Sequence, residues 1–95
     1  MDSKLKIFVY LDNSLPTLEA ILLVRQVFSQ SPVFADITPD ISPASLHRLC
    51  IIFTFPAETT GQADNKADEF IQSLLEYTSA ITDGIREGSN VLSYA

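Results

Sequence analysis

The chain has little of almost everything that announces a chemistry. Its 95 residues include one cysteine, Cys50, one histidine, His47, no tryptophan, and three glycines, Gly61, Gly84 and Gly88. A lone thiol closes no internal disulfide, in keeping with a reducing compartment. With one His and one Cys, any metal site would rest on carboxylates alone. Asp12, Asp36 and Asp40 lack the spacing of a calcium loop, and turn and capping duties suit them better. Three scattered glycines make no phosphate-cradling loop, so neither a cofactor site nor a metal site is expected. No apolar run, Ala20 to Val24 included, exceeds five residues, against the roughly 20 of a membrane-spanning helix.

Positive charge is also scarce. Six bases against twelve acids give a net charge of −6, which argues against nucleic acid and anionic membrane as partners, since both are bound by clustered Lys and Arg. Met1-Asp2-Ser3-Lys4 leads straight into a strand-like pattern with no apolar signal core, and the expected location is therefore cytoplasmic.

Apolar side chains are plentiful, at 46% of the sequence, too many for disorder and enough for one core in a single domain, residues 1–95. Lys4 to Leu11 alternates, with Leu5, Ile7, Val9 and Leu11 on one side and Phe8 and Tyr10 on the other, and reads as a central strand. Asp12-Asn13-Ser14 supplies turn chemistry, and a helix is expected from about Pro16 to Ser29, ending before Pro32. Val33 to Thr38 reads as a second strand, followed by a Pro-containing loop and a single helical turn at 44–47. Arg48 to Phe55 reads as a third strand, closed by Pro56. After a polar loop at 57–65, a second helix is expected from Asp64, as N-cap, to about Arg86, stopped by Gly88. Its apolar stripe is Ala67, Phe70, Ile71, Leu74, Thr78, Ile81 and Ile85. Val91 to Tyr94 offers a short closing strand.

This order, βαββα with an optional last strand, predicts an α+β fold, a ferredoxin-like two-layer sandwich with both helices on one face of an antiparallel sheet. A thioredoxin-like α/β sheet is the alternative if residues 44–49 form a true helix. Neither fold specifies an activity.

No catalytic grouping emerges. His47 and Cys50 fall on opposite sides of a strand, no local carboxylate orients the imidazole, and nothing fixes the geometry of Glu58 and Asp64. The surplus of apolar surface is more informative. With Leu5, Ile7, Val9 and Leu11 under the helices, Phe8 and Tyr10 project from the open sheet face, joined by Cys50, Ile52 and Thr54. A contiguous patch of this kind marks an interaction site unless a loop or the C-terminal segment covers it. Outward aromatics on two strands resemble the stacking platform of RNA-recognition modules, but the basic, glycine-containing signature is missing. On the first helix Leu18 and Leu22 lie outside the apolar arc, beside Arg25, and need a partner or the flank of the second helix to cover them.

The expected function is a non-enzymatic protein-interaction module, a small regulatory or adaptor subunit that binds a protein partner or forms a homodimer. Phe8, Tyr10 and Ile52 are its primary surface and Leu18, Leu22 and Arg25 a secondary one. Two alternatives compete with it. One is a small-ligand or enzymatic domain with a pocket at loops 12–15, 39–47 and 57–63. The other is an acidic inhibitor imitating nucleic acid, which needs Asp64, Asp68, Glu69, Glu76 and Asp83 in one unbroken row.

Overall fold

The computed structural model describes residues 2–94. Its elements are β1 (Asp2–Leu11), α1 (Thr17–Gln30), a 3-10 turn (Pro32–Phe34), β2 (Asp40–Ser45), β3 (Arg48–Pro56), α2 (Thr60–Ser79) and β4 (Ile85–Tyr94). The strands form one sheet in the order β2-β3-β1-β4, with every neighbouring pair antiparallel. The fold is thus α+β, a four-stranded antiparallel sheet with two helices in two layers.

The alternation in β1 dictates the layering. Leu5, Ile7, Val9 and Leu11 are buried together with Leu49, Ile51, Phe53 and Phe55 of β3, and the same cluster takes in Ala20, Val24, Val27 and Phe28 of α1 and Ala63, Ala67, Phe70 and Leu74 of α2. Both helices therefore cover one face of the sheet. Five of the six phenylalanines meet there: Phe53 lies 5.5 Å from Phe28, 6.1 Å from Phe34, 6.3 Å from Phe55 and 5.3 Å from Phe70, centroid to centroid.

The second strand differs from expectation. Residues 33–38 are not extended: Pro32–Phe34 makes the 3-10 turn and Asp36 adopts a left-handed backbone with φ of 65°. The cause is Phe34, which must turn inward to stack on Phe70 at 5.6 Å and to meet Phe28 at 4.2 Å. The true β2 is Asp40–Ser45, a polar segment with only Ile41 buried. It forms because β3 offers it a ladder, a tertiary effect that overrides weak strand propensity, and Pro43 is tolerated because β2 is an edge strand. Residues 44–49 contain no helix, so the condition for a thioredoxin-like sheet is not met. Ala44 and Ser45 end β2, Leu46 and His47 turn, and Arg48 begins β3.

The second helix also begins and ends earlier than the stripe implied. Its N-cap is Thr59, not Asp64: Thr59 Oγ1 accepts from the Gln62 N–H at 3.1 Å, while Gln62 Oε1 accepts from the Glu58 N–H at 2.6 Å. This is a close variant of the capping box, in which two orphan donors at a helix start are satisfied reciprocally. Replacing Thr59 with Ala is expected to lower stability by about 1 kcal/mol, read as a shift in urea midpoint at unchanged slope. At the other end the helix stops at Ser79. Ile81 and Ile85 fit the helical period only by coincidence, since Ile85 opens β4 and pairs with Leu11. Gly84 and Gly88 consequently lie outside the helix, the latter within β4.

Candidate functional site

The helix-free face of the sheet carries the primary surface. Cross-strand partners share a face in an antiparallel sheet, so register alone lists its occupants. Lys4 stands beside Thr54 and Ser93, Lys6 beside Ile52 and Val91, Phe8 beside Cys50, and Tyr10 beside Arg48 and Arg86. From β2, Asp40 joins Ile52, and Ser42 joins Cys50. No described element covers this face. Tyr10 is 47% and Val91 52% exposed, Phe8 and Ile52 are half-buried, and Cys50 is buried between its neighbours. The C-terminal segment does not shield the patch. It runs as β4 alongside β1 and adds Val91 to the apolar row, a residue the sequence pattern did not single out because its strand begins six residues before Val91.

Arg48 gives the face its electrostatic centre. Its guanidinium sits 4.7 Å from the Phe8 centroid and 5.5 Å from that of Tyr10, a cation-π contact to two rings. Its buried Nε has no hydrogen-bond acceptor among the described residues.

The secondary surface lies on the opposite side of the molecule. Ala20, Val24, Val27 and Phe28 turn α1 toward the sheet, and at 100° per residue Leu22 falls almost diametrically opposite them, with Leu18 and Arg25 beside it. The flank of α2 does not cover these residues: Leu18 is 72% and Leu22 61% exposed. The sheet residues Phe8, Tyr10 and Ile52 and the helix residues Leu18, Leu22 and Arg25 therefore form two separate patches, not one.

The loops proposed for a pocket do not all converge: the turn at 46–47 lies beside loop 12–15, but residues 57–63 are remote from both. Leu11 lies beside His47 and Arg48, whereas Asp2 pairs with Pro56. Loop 12–15 and residues 57–63 thus occupy opposite ends of strands about 30 Å long, and residues 40–45 are strand. An open cleft of about 660 Å³ lies elsewhere, against Phe28, Ser31, Phe34, Asp36 and Thr38. Among the described residues no three of His, Cys, Asp and Glu gather to hold a metal ion, and no helix is long and apolar enough to cross a membrane. The acidic row is also interrupted. Asp83 lies beyond the end of α2, and Asp64 is engaged by the Tyr94 hydroxyl, which donates to Oδ1 at 2.6 Å. That bond raises the Tyr94 phenol above its ordinary pKa, because ionising it would sacrifice the proton that Asp64 accepts. Asp12 serves as a turn residue: the Ser14 N–H donates to its carboxylate at 3.1 Å and holds its pKa below the usual value.

Compared with known protein families, with curated proteins and with solved structures, the chain matches none, and what it does has to come from its own surfaces.

Proposed function

We propose that the protein is a non-enzymatic interaction module, a small cytoplasmic regulatory or adaptor subunit that self-associates through its open sheet face. The observation that carries this reading is the group of apolar side chains Phe8, Tyr10, Ile52 and Val91, set around Lys6, on a face with no helix over it. Hiding each such side chain from water is worth about 1.5–3 kcal/mol when burial is complete. Monomers rarely leave a patch of this kind without a use.

A ferredoxin-like fold belongs to the same proposal. Its support is the strand order, in which α1 connects β1 to β2 and α2 connects β3 to β4, each pair separated by one intervening strand. The non-enzymatic reading draws on the surroundings of the one thiol: the cross-strand partners of Cys50 are Phe8 and Ser42, neither a general base. That Cys50 is unpaired accords with a reducing cytoplasm.

The test is solution mass by sedimentation velocity across a dilution series, for the wild type and for the double variant Tyr10→Glu with Ile52→Glu. The wild type is expected to associate as concentration rises, and the variant to stay monomeric with an unchanged circular dichroism spectrum. A wild type that remains a monomer throughout, or a folded variant that associates as the wild type does, would overturn the reading.

A further inference from the structure

Charge is distributed very unevenly between the two layers. Of the six bases, four (Lys4, Lys6, Arg48 and Arg86) lie on the open sheet face, accompanied by only two acids, Asp2 and Asp40, for a net +2. The rest of the chain, the helices and loops together with Glu87 of β4, keeps two bases and ten acids, a net −8. A protein that is acidic overall thus presents one basic, apolar face and one acidic face that exposes Leu18 and Leu22.

We propose that self-association is heterologous, with the sheet face of one copy seated on the outer helix face of the next. This deepens the self-association reading and rests on it. A symmetric contact between two sheet faces opposes like charges. Its two-fold axis must lie in the plane between the sheets, so a face of net +2 meets another of net +2, with Lys4, Lys6, Arg48 and Arg86 outnumbering Asp2 and Asp40 on each. The helix face supplies what the sheet face lacks. Glu69 and Glu76 are exposed opposite the buried stripe of α2, and Leu22 stands exposed on α1 to meet Phe8, Ile52 and Val91.

Arg48 supplies an independent reason. Its side chain is only partly buried, and its guanidinium lies over the rings of Phe8 and Tyr10 on this face. A carboxylate from a neighbouring copy fits this site, because a guanidinium forms its strongest hydrogen bonds to carboxylates in a forked geometry. Nucleic acid fits less well. It brings no apolar side chains for Ile52 and Val91, and the acidic layer of the same small domain repels a polyanion.

A heterologous contact leaves one complementary surface free at each end of an assembly, so growth is open-ended unless the rotation closes a ring. Two blocked variants separate the geometries. The first, Tyr10→Glu with Ile52→Glu, keeps an intact helix face. The second, Leu22→Gln with Glu69→Gln and Glu76→Gln, keeps an intact sheet face and changes only exposed side chains. Each alone is expected to be monomeric by sedimentation velocity, while the wild type grows past the dimer. An equimolar mixture is expected to form a discrete heterodimer, weakened about tenfold or more in 1 M salt, where the screening length falls to about 3 Å. If the second variant dimerises alone and mixing adds nothing, the contact is sheet to sheet: the heterologous geometry is overturned while self-association stands. If the wild type is monomeric throughout, both fall. Capture of a single-stranded oligonucleotide by a monomeric wild type would assign the basic face to nucleic acid instead and would likewise sink the proposal.

Discussion

Replacing Phe53 with Ala is expected to lower the unfolding free energy by about 3–5 kcal/mol, toward the upper end of that range for a buried Phe. Phe53 is 3% exposed, and its ring is met by Phe28 from α1, Phe34 from the 3-10 turn, Phe55 from β3 and Phe70 from α2. Truncation removes the transfer free energy of the ring and opens a cavity whose walls are other rings, which cannot collapse inward as flexible aliphatic chains can. Edge-to-face pairs add about 0.5–1.5 kcal/mol each beyond area, and the contacts to Phe28, Phe34 and Phe70 are of that type. Small domains have only about 5–15 kcal/mol in total, so the variant should be marginal at room temperature, with a lowered urea midpoint and an unchanged slope. Phe8→Ala is the internal control. The sixth phenylalanine lies half-buried on the other face of the sheet and should cost markedly less. Equal losses for the two variants would mean that the faces have been assigned the wrong way round.

That assignment was legible in the sequence because strand alternation is a local signal. Leu5, Ile7, Val9 and Leu11 had to share a face, and Phe8 and Tyr10 the other, whatever the rest of the chain did. The first and third strands and the body of both helices were legible for the same reason: each carries its own period over many residues. The second strand was not, because its stability comes from outside it. Asp40–Ser45 holds three polar side chains, a proline and a single buried residue, Ile41, and only the ladder with β3 makes it a strand. Val33 and Phe34 carried strand-like composition, yet Phe34 serves the core better from a tight turn. The start of α2 was readable in principle, since Thr59 and Gln62 stand at capping-box spacing, but Asp64 presented a competing cap inside the same polar stretch. Its end was hidden by Ile81 and Ile85, whose four-residue spacing imitates a helix although Ile85 belongs to β4. On the surface, Phe8, Tyr10 and Ile52 were foreseeable from alternation. The grouping of Lys4, Lys6, Arg48 and Arg86 was not, because net charge says nothing of where the minority sign collects. It takes the register of three strands to bring those four residues onto one face.

Gly88 links the sheet's architecture to that face, and the same small substitution at two glycines should have opposite effects. A β-carbon built on Gly88 would overlap the carbonyl oxygen of Phe8 and come within 2.9 Å of its carbonyl carbon and 3.4 Å of Tyr10 Cε2. The first two obstacles are backbone of the central strand, so no rotamer change relieves them. Gly88 sits where the pairing of β1 with β4 shifts register between Ile7 and Val9, and it is the missing side chain that lets the strands close at that irregularity. Gly88→Ala is expected to destabilise the fold by about 1–3 kcal/mol, the usual range for forced overpacking. It is also expected to weaken self-association, because the displaced carbonyl belongs to Phe8 and the crowded ring to Tyr10. At Gly61 the new methyl group meets only Thr59 Oγ1, at 4.0 Å, in the exposed first turn of α2. Gly61→Ala should therefore stabilise by roughly 0.5–1 kcal/mol through helix propensity and a less disordered unfolded chain, leaving assembly untouched. Urea melts and sedimentation on the two variants measure both effects. A Gly88→Ala protein as stable as the wild type would show that β4 does not close on β1 at Phe8, and with that contact would go the framework that holds Tyr10 and Val91 on one surface.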